Sequence, residues 1–298
     1  MDMTIMAKRL RQDWFRRYVD NPQSFRQGTR MPDAWPGEDD KSLLDDVLDG
    51  RKQTQIQAVW NYLSDGPRAR TPAGVVTGSL ELIPTFEPIL YRNFIEGAGP
   101  RAIGVGYPEQ LSLAFDANDL RLALIWQGAF IDASKHWVNR GSGFQGPAGQ
   151  KVLQLPAGTT FAALADGDAT WPGAPAKEQG FQFRGYRLSK EGRPTFRYSL
   201  GTTQVEDFPS VVVAGPKASL LRKFTVTADK PPSDLYLRAA VGSAIAPLDG
   251  GWYDVDGQLR VRIAGGTAVV RSSGGKQELI VHVEFQGAKA QISQEYDW

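Results

Sequence analysis

Residues 29–36 read Thr-Arg-Met-Pro-Asp-Ala-Trp-Pro, and Met31 is the side chain there with chemistry to offer. A methionine is most often core filler, yet this one lies between turn residues and Pro32, with Trp35 and Pro36 just beyond. Proline fixes its own φ and removes a donor, so the loop is stiff and the backbone positions the sulfur. A neutral, soft thioether held that way suits the iron of a haem, where it favours the ferrous state and raises the reduction potential. Composition narrows the alternatives. With no cysteine, the chain has no disulfide, thiolate nucleophile, Cys-ligated zinc, iron–sulfur cluster or covalent haem attachment of its own. His136 and His282 are its two histidines, too few for a multi-histidine metal site, and a Ser-His-Asp arrangement would have to recruit one of them.

The elements that would position Met31 are helical. In AKRLRQDWFRRYVDNP the apolar residues Leu10, Trp14, Phe15, Tyr18 and Val19 recur at helical spacing. Asn21-Pro22 ends that pattern, because the residue before a proline disfavours the helical region. A second pattern follows Gly50, with Ile56, Val59, Trp60 and Leu63 on one stripe, and Gly66-Pro67 closes it. RARTPAG at 68–74 reads as a linker, which divides the chain into a helical domain over 1–70 and a second domain over 71–298. Beyond the linker the period changes to two. Leu111–Phe115, Leu120–Leu124, Phe181–Arg184, Phe196–Tyr198, LYLRAAV, LRVRI and ELIVHVEF alternate between turn signals such as Asp256-Gly257. No helical run interrupts them. The fold class is therefore mainly β: an antiparallel β-sandwich, or a larger supersandwich, behind a small helical segment.

The totals bound the partners. A chain of 298 residues exceeds the usual single domain, and 41% hydrophobic with 22% charged residues is ordinary for a globular protein. A formal charge of +1 from 34 basic and 33 acidic side chains gives no footprint for nucleic acid. No apolar run is long enough to span a bilayer, and the first residues carry charges where a signal peptide would carry its apolar stretch.

The wording DWFRRYVDNPQSFRQGTRMPDAWP, then LLDDVLDG and QIQAVWNYLSDGP, resembles the C-terminal half of a small class I c-type cytochrome domain. Such domains recur in large exported multidomain bacterial proteins. Met31 matches the axial methionine of that family, and Pro32, Trp35, Gln55, Ile56, Trp60, Tyr62 and Leu63 match its scaffold. The stretch 91–132 is similar to the β-rich region found behind such cytochromes. The resemblance implies electron transfer, with Met31 on haem iron and Pro32, Trp35 and Trp60 around the cofactor. It implies a redox partner protein or dehydrogenase module, a periplasmic or cell-surface location, and a carrier rather than a catalyst. One departure is severe. The family's Cys-x-x-Cys-His motif has no counterpart here, so this chain alone is expected to bind no haem c and to have lost an upstream segment.

A second set of candidates lies in 129–149, AFIDASKHWVNRGSGFQGPAG. Asp132, His136, Trp137, Asn139 and Arg140 precede a glycine-rich turn, and aromatic plus polar residues on a loop suit carbohydrate stacking. This supports an alternative reading: a carbohydrate-binding or carbohydrate-active sandwich with the helical segment as an appendage. Trp171 with Glu178 is a weaker case. The glycines of GAGPRAIGVGYP, 97–108, lack the strand-then-helix context of a phosphate loop and read as strand turns. Arg184, Arg187, Arg193 and Arg197 read as the solvated face of a meander.

Overall fold

The computed structural model describes residues 5–29, 31, 33–35, 44–70, 80–134, 143–215 and 217–298. They fall into two compact units, one helical and one β, with the boundary in a stretch outside the described residues.

The helical unit contains α1 (Met6–Arg9), α2 (Gln12–Asp20), α3 (Pro22–Phe25) and α4 (Lys52–Asp65). The first sequence pattern, expected as one helix, is broken at Leu10 and Arg11, both of which take extended dihedrals. The break brings Met6 and Leu10 of the first piece and Phe15 of the second onto one cluster with Trp35, Ile56 and Leu63. Asn21 stops α2 as expected but also caps α3, its Oδ1 accepting from the Ser24 N–H at 3.1 Å with Pro22 in the first turn. On α4 the inward stripe is Gln55, Ile56 and Leu63 with Trp60 half-buried. Val59, expected on that stripe, is exposed.

The β unit is built from antiparallel ladders, as its period of two requires. A five-stranded sheet is ordered β2 (Ile89–Ile95), β3 (Gly99–Gly106), β4 (Leu111–Asp116), β5 (Arg121–Gln127) and β7 (Gln150–Gln154). An eight-stranded sheet is ordered β14 (Ile245–Pro247), β15 (Trp252–Val255), β16 (Leu259–Ala264), β19 (Lys289–Asp297), β12 (Lys217–Thr227), β11 (Thr203–Ala214), β10 (Pro194–Leu200) and β9 (Phe181–Leu188). A four-stranded sheet is ordered β17 (Ala268–Ser273), β18 (Lys276–His282), β13 (Leu235–Gly242) and β8 (Phe161–Ala163), and β1 (Glu81–Leu82) pairs with β6 (Ile131–Asp132).

The three larger sheets share one core. Leu113 and Phe115 from the first, Phe196, Phe224 and Val261 from the second, and Phe161, Leu237 and Leu279 from the third belong to a single buried cluster. Phe115 and Phe196 stack with centroids 4.1 Å apart across two sheets. Each such side chain contributes about 1.5–3 kcal/mol on burial, so the sandwich is held chiefly by this layer. β4 is buried on both faces, and β5 on both faces up to Gln127, because Ala114, Ala123 and Trp126 face a second cluster with Phe130 and Ile131. Gly97 and Gly99 turn β2 into β3 with positive φ. Gly106 has a different role within β3: a Cβ there would lie 2.6 Å from the Phe130 ring.

Candidate functional site

In the helical unit Trp35, four residues after Met31, is clamped to α4 by one amide. Trp35 is buried and its indole Nε1–H donates to Gln55 Oε1 at 3.0 Å. Gln55, itself buried, donates from Nε2 to the Leu44 and Val47 carbonyls at 2.9 and 2.6 Å. Helix α4 thereby holds Trp35 on one side and Leu44 and Val47 on the other with one buried side chain. The Trp35 N–H donates to Asp33 Oδ1 at 2.9 Å and the Met31 N–H to Thr29 Oγ1 at 3.3 Å. Met31 is half-buried and is not among the described side chains packed on the Phe15–Trp35–Ile56–Leu63 cluster. Trp60 packs there, its ring 5.2 Å from Phe15. Pro32 lies outside the described residues. Trp35 and Trp60 therefore meet in one cluster, with Met31 four residues before Trp35 in sequence. Elsewhere in the helical unit Phe25, Val47, Leu48, Val59 and Tyr62 are exposed.

These residues do not make a complete haem c site. The chain has no cysteine for the thioether links, and His282 lies in the β unit with its Nε2 2.9 Å from the Ser233 carbonyl. Among the described residues there is no group of three His, Cys, Asp or Glu side chains placed to hold a metal. Met31 can supply one axial ligand and nothing more.

In the 129–149 loop, Asp132 Oδ1 accepts from the Leu80 and Ser134 N–H groups at 3.0 and 2.9 Å. That is the geometry of a latch holding the β1–β6 pair. His136, Trp137, Asn139 and Arg140 lie outside the described residues. Gly149 is needed by packing: a Cβ there would lie 2.1 Å from the Gln127 carbonyl oxygen. Trp171 is buried, donates to the Thr159 carbonyl at 3.2 Å and lies under the Arg238 guanidinium, so its role is packing. The arginine meander is solvated at Arg187 and Arg197, which share Glu206, whereas Arg193 pairs with Glu109 at 2.7 Å over the Tyr107 ring.

Two features of the β unit have no local signature in the sequence. One is a cleft of about 590 Å³ at an end of the sandwich. Strand register assembles it: Gln127 pairs with Gln150, Asp254 with Arg260, and Arg260 with Asp297. Gln127 Nε2 donates to the Trp298 carbonyl and the Trp298 indole to the Lys151 carbonyl, at 2.9 and 2.8 Å, linking the five- and eight-stranded sheets. The other is a buried charge network around Arg222 and Asp207, joined at 2.5 and 3.2 Å.

The fold defines a β-sandwich protein with a small helical unit before it. Residues 113–207, from β4 into β11, match a domain family of unknown function, DUF6797. No curated protein matches the chain. No helix among the described residues is long and apolar enough to cross a membrane.

Proposed function

We propose that the helical unit is the methionine-bearing part of a c-type cytochrome domain and that the protein serves single-electron transfer, with the β-sandwich as a fused module. The observation that carries this reading is Met31 itself: a half-buried thioether outside the small core, four residues before Trp35, whose indole Gln55 clamps to α4. Core filler needs no such clamp, whereas an axial ligand does, because a flexible side chain cannot position itself. The exposed Val59 and Tyr62 on α4 agree with a unit whose apolar surface is covered by another segment. Haem, when bound, would supply the one-electron couple, and its cysteine and histidine anchors must come from outside these residues. Met31 would present its sulfur, while Trp35 and Trp60 would exclude water. The test is the protein purified from its native source, with Met31→Ala beside it. The reading expects bound haem, and a lowered reduction potential in the variant. Haem-free protein, or an unchanged spectrum and potential, overturns it.

A second reading, carbohydrate binding by the sandwich, is favoured by the end cleft. Gln127, Gln150 and Trp298 are among its lining residues, a combination of amides and an indole that suits ring stacking and hydroxyl recognition. A glycan array read with wild type, Trp298→Ala and Trp137→Ala separates the two candidate faces. Binding lost in either variant supports the reading at that face. No binding by the wild type, or no loss in either variant, removes it.

A further inference from the structure

We propose that the β unit binds one monovalent anion of halide size, chloride being the ready candidate, in a small cavity where Arg121, Arg222 and Arg238 converge. The cavity has a volume of about 20 Å³ and is also lined by Thr159, Thr160 and Tyr296, with Pro156 and Gly158 at its edge. A water-sized guest needs roughly 10–15 Å³, so one small ion fits and a tetrahedral oxyanion does not.

Charge argues for the anion. Arg121, Arg222, Arg238 and Arg271 are linked side chains with little solvent contact, and their carboxylate partners are three: Asp116, Asp207 and Glu278. Arg222 is fully matched by Asp207. Arg238 and Arg271 share Glu278, the first on Oε1 at 3.1 Å and the second on Oε2 at 2.6 and 3.0 Å. Arg121 reaches Asp116 only at 3.7 Å, beyond a hydrogen bond, and Asp119 at the adjoining turn is only half-buried. Four guanidiniums, Arg121, Arg222 and Arg271 buried and Arg238 half-buried, against three buried carboxylates leave one positive charge over. An arginine cannot discharge it by losing a proton, and an unmatched buried charge is costly.

Hydrogen bonding points the same way. Arg121 Nε, whose ion-pair contact with Asp116 Oδ2 is 3.7 Å long, and Thr159 Oγ1, both on residues lining the cavity, are buried without a hydrogen-bond partner. Each can donate to an anion. A water would accept from both, yet it brings two donors into a site poor in acceptors. The Leu155 and Pro156 carbonyls already accept from Arg121 Nη1, the Ala157 carbonyl accepts from Arg238, and Thr160 donates to the Leu120 carbonyl.

Two measurements test the proposal together. Crystals soaked in bromide should show one anomalous peak between the three arginines. Thermal unfolding at fixed ionic strength should give a higher midpoint in chloride than in gluconate. Each tenfold rise in chloride above its dissociation constant should multiply the folded-to-unfolded ratio about tenfold. Thr159→Val and Arg121→Met should each abolish the chloride dependence, the first with little other disturbance. A cavity without anomalous signal, which marks an ordered water, overturns the proposal; so do equal midpoints in the two salts or a chloride dependence that survives in Thr159→Val.

Discussion

Replacing Asp207 by asparagine removes one negative charge from the least accessible ion pair of the β unit. Asp207 and Arg222 are 0% and 3% exposed, and two hydrogen bonds of 2.5 and 3.2 Å join them. Arg222 also donates from Nη1 to the Tyr296 hydroxyl at 3.3 Å and lies 4.7 Å over the Phe224 ring, so it cannot swing out to water without opening the core. Tyr198 and Tyr296, whose hydroxyls burial pushes above the usual tyrosine range, remain neutral and cannot take over the carboxylate's role. Breaking such a pair by removing one partner costs about 3–5 kcal/mol, because the other charge stays buried and unmatched. For a unit of this size about 2–4 °C accompanies each kcal/mol, so the midpoint should fall by about 6–20 °C. Urea unfolding of Asp207→Asn, followed by circular dichroism, measures the loss, with an unchanged m-value as the sign that the folded state keeps its extent. The double variant Asp207→Leu with Arg222→Met should recover most of it, since matched apolar replacement of a buried pair is often neutral. A single variant within about 1 kcal/mol of wild type, or a double variant as unstable as the single, would refute the reasoning.

Gln55→Leu should cost the helical unit about 1–3 kcal/mol, because it strands the buried Trp35 indole N–H, while the Leu44 and Val47 carbonyls lose one donor each and keep the Val47 and Gly50 N–H groups; Trp35 accessibility to a fluorescence quencher should rise, and unchanged quenching would dismiss the clamp. Gly149→Ala should cost more than about 2 kcal/mol, since its Cβ would overlap the Gln127 and Ala129 carbonyls and force the β5–β7 ladder apart; wild-type stability by urea unfolding would contradict this packing. Asp116 tests the pH dependence. Burial is the first cause raising its pKa above the ordinary aspartate value, so the folded state holds that proton more tightly than the unfolded chain. Stability from this group is therefore present at low pH and declines as pH rises from the unfolded value through the folded one. Subtracting the pH–stability curve of Asp116→Asn from that of wild type should leave this decline, and a flat or rising difference would reverse the assignment.

Much of the fold is legible in the sequence where the determinant is local. Period-two runs such as Leu111–Phe115 and Phe196–Tyr198 lie in β4 and β10, and the second helical pattern coincides with α4 to within a residue at each end. The break at Leu10 was not legible, because it is set by which side chains reach the shared cluster rather than by a glycine or proline. Nor was the sheet order. β19 enters between β16 and β12 by pairings such as Leu220 with Tyr296, and no local spacing encodes a partner that far along the chain. The candidate sites divide the same way. Met31 could be singled out from its type and neighbours, and Gln55 only through the family resemblance, but the hydrogen bond that joins Trp35 to Gln55 needed the fold. The end cleft and the arginine cavity were invisible, because Gln127, Asp297, Arg121 and Arg238 are brought together only by strand register and sheet packing.

Whether Met31 was placed for iron is tested most directly by the genomic DNA upstream of the Met1 codon. If it was, the reading frame should continue upstream and encode a Cys-x-x-Cys-His motif, supplying the attachment and proximal ligand for which these 298 residues hold no such motif. An in-frame stop codon directly before Met1, or an open frame through a preceding domain without that motif, would contradict it.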